Sequence, residues 1–169
     1  LSAVNWSSAL PWNWFGDTLS VTENGVGNIR GTTPMQEQSI RAGLNDEYRI
    51  RSGMKAQAGK VVPFFEGMKE NNVMLVINGQ SGTVESIDVL DPAIQGPQGV
   101  KVGTPFSDIY SKAFGACEAD AGIAPGAVSC SAPGNPHIHY VFSGEWQGPE
   151  GLMPPDEILK SWPVKRIVW

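Results

Sequence analysis

The two histidines of this chain, His137 and His139, stand two positions apart in a run that continues Tyr140-Val141-Phe142. In a strand, side chains two apart project to one face, so the pair could offer two imidazoles to a metal ion or a small ligand. Glu145 or Asp120 could add a third donor, but neither sits at a defined ligand spacing. The plainer reading is a half-exposed strand face carrying two polar residues. Ser143 follows His139 closely, yet no Gly-x-Ser-x-Gly elbow surrounds it and no acid is placed to complete a triad. The acidic pairs Asp88/Asp91 and Asp156/Glu157 read as a strand end and a helix first turn, where carboxylates complement the helix dipole. The glycines at 25, 27 and 31 lack the following helix and Lys-Ser/Thr of a phosphate loop. No catalytic residue, cofactor or metal is assigned, and the chain is read as non-enzymatic.

Cys117 and Cys130 are 13 positions apart, with Gly122, Pro125 and Gly126 between them. Two unrelated buried thiols are one possibility. A disulfide is the expected one, because one cysteine follows a helix end and the other lies in a strand just downstream. Such a loop closure stabilises by about 3 kcal/mol in the chain-entropy picture and implies an oxidising compartment.

These residues need a scaffold to hold them. The chain has 169 residues, of which 41% are hydrophobic and 17% charged, enough for one domain with a core and too few for two. Its 20 Gly and 13 Pro point to many turns and short elements. The net charge of −5, with basic residues scattered, argues against a nucleic-acid surface. No apolar run is long enough to span a membrane as a helix.

Period-two alternation marks strands at Leu19/Val21, at Val26/Ile29, at Tyr48/Ile50, over 61–66 and 73–78 as a hairpin joined by 67–72, over 83–90, over 127–131 and 137–143, and over 164–169. Thr33, Pro34 and Gln36 form a capping box for a helix ending near Leu44. Thr104-Pro105 opens a second helix whose stripe of Phe106, Ile109, Tyr110, Ala113 and Phe114 faces the core, with Gly115 as its C-cap. A short third helix is expected over 155–160.

The pattern occurs twice. Gly25-Val26 and Thr33-Pro34 are echoed by Gly99-Val100 and Thr104-Pro105; residues 73–79 answer 138–144, and 84–87 answer 164–167. The fold expected is α+β: mostly antiparallel sheet with two main helices, built as a degenerate tandem helix–β–β–β repeat over about 25–90 and 99–169. Residues 18–169 make the single domain, and 1–17 are an irregular lead-in holding three of the six Trp. That cluster either packs onto the domain or faces a membrane interface, where Trp is favoured. The second copy alone carries a long Gly/Pro-rich loop, in which Trp146, Leu152 and Met153 are candidate partner-binding anchors. Their alternative role is to plug the core.

Long strings of this chain resemble one family: Val-Asn-Trp-Ser at 4–7 and Pro-Trp-Asn-Trp-Phe-Gly at 11–16, residues 48–54, 73–79, 103–115 and 142–154. They are similar to the YfeY family of sigma-E-regulated enterobacterial outer-membrane lipoproteins. The resemblance covers nearly the whole chain. It implies a fold rich in antiparallel strand, an acylated cysteine lying outside this sequence, anchoring on the periplasmic face of the outer membrane, and a place in the envelope-stress response. It carries over no catalytic position. The expected role is binding an envelope protein or component; the alternative is a periplasmic ligand or metal binder using the His137/His139 face.

Overall fold

A computed structural model describes residues 19–119, 126–149 and 152–169. The lead-in with its Trp cluster lies outside these residues. The element order is β1 (Val21–Thr22), β2 (Gly25–Val26), α1 (Glu37–Gly43), β3 (Arg49–Gln57), β4 (Lys60–Lys69), β5 (Asn72–Gln80), β6 (Thr83–Val89), β7 (Cys117–Ala119), β8 (Val128–Ala132), β9 (Asn135–Phe142), α2 (Asp156–Leu159) and β10 (Val164–Val168). β1 and β2 form a small ribbon, and the other strands form one eight-stranded antiparallel sheet in the order β3-β4-β5-β6-β10-β9-β8-β7.

Tight turns set this order. Ala58-Gly59, Glu70-Asn71 and Ser81-Gly82 all have positive φ at both residues, the geometry of type I′ turns whose twist matches that of the flanking strands. The first hairpins are therefore longer than their apolar runs suggest, and the expected 67–72 connection shrinks to Glu70-Asn71. Leu75, Ile77, Ile87, Val89, Ile138, Tyr140, Phe142 and Ile167 are all buried on one sheet face. α1 covers part of that face with Ile40, which is fully buried.

The sheet is two meanders related by a local two-fold at the β6–β10 seam. Corresponding segments make corresponding hydrogen bonds. Val84 N donates to Thr33 O at 3.0 Å as Val164 N does to Thr104 O at 2.9 Å. Met35 N donates to Gly82 O, and Phe106 N to Trp162 O, both at 2.9 Å. Each threonine hydroxyl accepts from a backbone N–H three residues earlier, Arg30 at 2.8 Å and Lys101 at 3.1 Å. Even the bulge repeats: pairing skips from Asn78/Ser86 to Gly79/Val84, and from Val141/Arg166 to Phe142/Val164. This register places Gly79 opposite Phe142 in the repeat, so the match of 73–79 with 138–144 read from sequence moves by two residues. Among the described residues each copy has four strands rather than three; in the second copy the added one is the short β7, which has no apolar alternation to announce it.

Both long-helix expectations are corrected by the same contacts. α1 begins at Glu37 with Gln36 as its N-cap and no side-chain cap bond. Thr33 lies outside the helix, its carbonyl and the Met35 N–H committed to Val84 and Gly82, and Pro34 forms a bridge with Thr83. In the second copy only a 3-10 turn forms, at Phe106–Asp108. Phe106 N and Ser107 N donate to Trp162 O and Lys160 O instead of waiting for a helix to satisfy them. Phe106, Ile109, Tyr110 and Ala113 still pack on the core, whereas Phe114 is 87% exposed. The third helix forms as α2, within the span expected. No helix among the described residues is long and apolar enough to cross a membrane.

Candidate functional site

The second meander carries an apolar groove of about 460 Å³ between the chain around Phe114 and the start of α2. Phe114, Cys117, Met153, Pro154 and Pro155 line it. Two features hold its walls. Asp156 Oδ1 accepts a hydrogen bond from Ala113 N at 3.1 Å, tying one wall to the first turn of α2. The other is the disulfide: Cys117 and Cys130 are direct cross-strand partners in β7 and β8, joined by an S–S bond of 2.01 Å. Behind the groove Phe106, Tyr110 and Phe142 pack as an aromatic cluster, with centroids 5.0 Å apart for Phe106–Tyr110 and 5.2 Å for Phe106–Phe142. The Tyr110 hydroxyl donates to the Ser131 carbonyl. Burial pushes the Tyr110 pKa upward and that of Tyr140 to about 12, so both phenols stay protonated over the physiological range.

The three loop residues singled out from sequence separate. Trp146 is half-buried against the core, its ring so close over Gly148 that a Cβ there would lie 2.1 Å from it. Met153 packs against the core from the groove wall, and Leu152 beside it is 57% exposed. Trp146 is thus a plug, while Met153 lines the groove with Phe114 and Leu152, next to it in the chain, is exposed. Sequence reasoning missed Phe114, having placed it on a helical core stripe that the backbone does not form.

Ile138 and Tyr140, between and after the two histidines, are buried. The surroundings of the histidines differ. His137 is exposed; its ring stacks on Trp169 at 4.4 Å and 19°, and its backbone N–H donates to the Glu23 carboxylate at 3.3 Å. His139 is half-buried beside Glu118, Ser129 and Ser131 in a separate polar hollow. Among the described residues no cluster of three or more His, Cys, Asp or Glu could hold a metal ion, and Asp120 lies outside them. No hydrogen bond joins Ser143 to His139. The acidic pairs also find structural partners: Asp91 accepts from the buried Tyr48 hydroxyl at 2.6 Å and from Ala93 N at 2.8 Å. Asp88, on the sheet face of His139, has its pKa raised by burial, opposed by the positive charges of Arg166 and Lys55.

Comparison with known proteins places this scaffold. A family model described as "Protein of unknown function (DUF1131)" matches residues 3–169. The protein named "Uncharacterized protein YfeY" of Escherichia coli (strain K12) is 57% identical over 169 residues, all of this chain and 88% of that protein. The crystal structure of the uncharacterized protein yfeY from Escherichia coli superimposes with a TM-score of 0.81 at 56% identity, covering 89% of this chain and 98% of that one. With the family model spanning residues 3–169 and a relative 57% identical over the whole chain, the chain belongs to the DUF1131 family, in agreement with its resemblance to YfeY from sequence.

Proposed function

We propose that this chain is a non-enzymatic binding protein of the cell envelope, lipid-anchored on the periplasmic face of the outer membrane, and that its apolar groove receives part of another envelope protein. The observation that carries the reading is Phe114, a large aromatic side chain 87% exposed on the rim of a groove walled by Met153, Pro154 and Pro155. Exposed apolar surface next to a formed groove costs solubility and is retained where a partner covers it. The Cys117–Cys130 disulfide supports an oxidising compartment such as the periplasm. A role in the envelope-stress response follows the resemblance to the YfeY family and rests on it alone.

A photo-crosslinking residue in place of Leu152 should give a discrete protein adduct in envelope fractions, and Phe114→Ala should abolish it. That substitution should shift the melting temperature by no more than about 2 °C, since exposed side chains contribute little to stability. An adduct pattern identical to that from a probe at the remote, exposed Glu85 would sink the assignment. The anchor is tested separately: metabolic labelling of the full-length protein with a palmitate analogue should mark it, and unlabelled protein recovered wholly in the soluble periplasmic fraction would remove that element.

A further inference from the structure

The repeat supplies its own comparison for a second groove. At the tip of the first meander lies a cleft of about 350 Å³ walled by Met35, Val61, Val62, Pro63, Gly79 and Gly82. The seam register makes Met35 the counterpart of Phe106, Gly79 that of Phe142, and Gly82 that of Trp162. In the second meander those positions are filled. Phe106 and Phe142 meet edge to face at 5.2 Å, and Trp162 is 4% exposed with its indole lying across Gly144. In the first, Met35 lies over Gly79, where a Cβ would come within 2.2 Å of it, and nothing stands within 4 Å of a Cβ built on Gly82. The same three positions therefore hold three aromatic rings in one copy and Met35 with two glycines in the other, which leaves the place of Trp162 empty.

Backbone and charge say what the hollow fits. From Pro63 outward β4 pairs with β3 alone, its pairing with β5 beginning at Phe64. An extended segment can lie along that free stretch as a short added strand. Val61 is 69% exposed there. Lys60 is the one charged residue among those that line the cleft, which carries no acid, in a chain of net charge −5. We infer that this cleft binds an extended, acidic peptide segment through an aromatic side chain that takes the place Trp162 occupies in the second meander.

The test uses the full chain and a synthetic peptide spanning 156–163, the segment that carries Trp162 and begins with two acids. Titration should shift the NMR signals of the Met35 methyl and of the Gly79 and Gly82 amides. Replacing the peptide's tryptophan by alanine should weaken binding by about tenfold or more, as for other buried aromatic anchors. Gly79→Phe, which copies the second meander, should abolish binding by filling the cleft. Val61→Asp, at an exposed position where folding is safe, should weaken it as well. Met35 and glycine signals that stay put at millimolar peptide would overturn the inference. So would binding unaffected by Val61→Asp, or shifts confined to Phe114 and Met153. Peptide-independent shifts that grow with protein concentration would assign the cleft to a second copy of the chain and overturn the peptide reading.

Discussion

The two meanders start from the same hydrogen-bond frame and are stabilised by different means. The first has long strands closed by type I′ turns, a nine-residue edge strand β3 and a true helix. The second has a three-residue edge strand β7, no helix in the corresponding place, and in exchange a disulfide, an aromatic cluster and the tryptophan plug. The difference teaches that ladder length and packed aromatic volume are interchangeable ways to hold one half of such a sheet. It also explains why the two grooves differ. The second copy's groove lies beside a core filled by aromatic rings, while the first copy's cleft has Met35 over Gly79 and open space at Gly82.

Breaking the plug should have the largest effect. Trp162→Ala removes a buried indole and should cost about 3–5 kcal/mol in denaturant unfolding, the range for large aromatic-to-alanine changes in a core. Met35→Ala, at the counterpart of Phe106 beside an open cleft, should cost clearly less. Equal losses would show that the two positions are not energetically distinct. Removing the disulfide comes next. Reduction, or the paired change Cys117→Ala with Cys130→Ala, should lower stability by about 2–4 kcal/mol, read as a fall in the urea midpoint. Hydrogen exchange should then report faster opening of β7 and β8 than of β3 and β4, which sharpens the contrast between the two edges.

The smallest effect is a pH dependence near the seam. The raised pKa of Asp88 means the fold binds its proton more tightly than the unfolded chain does. Its contribution to stability is therefore fully present below the ordinary aspartate value of about 3.9 and is lost as pH rises through the raised folded value. Asp88→Asn should flatten that part of the stability–pH curve. A slope unchanged in this variant would assign it to other groups.

Much of the sheet was legible because alternation marks half-buried strands, and the repeat was legible because Thr-Pro starts both copies. The two-residue error in matching β5 to β9 has the same origin. A shift by two keeps every side chain on its face, so alternation is blind to it, and only the paired bulges fix the register. The second helix was misread because Phe106, Ile109, Tyr110 and Ala113 satisfy a helical period while the backbone donors of Phe106, Ser107 and Ala113 go to Trp162, Lys160 and Asp156, distant in sequence. That same misreading hid Phe114, whereas Leu152 and Met153 were visible as large apolar residues on a Gly/Pro-rich loop. Turns at Ala58 and Glu70 were silent because neither residue type signals positive φ.

The β6–β10 seam has a kinetic consequence. Every other junction in the sheet joins strands adjacent in the chain, but Val89 meets Ile167 and Ile87 exchanges hydrogen bonds of 3.0 and 2.9 Å with Trp169 across the whole second meander. Closing so long a loop is entropically the most expensive pairing in the molecule, and non-local pairings of this kind slow folding. Each meander can form on its own schedule, yet until β10 arrives both β6 and β9 present bare edges to any neighbouring chain. An unfinished molecule is thus two sticky half-sheets, and the interval before the last strand inserts is when this protein is most exposed to aggregation and to capture by chaperones.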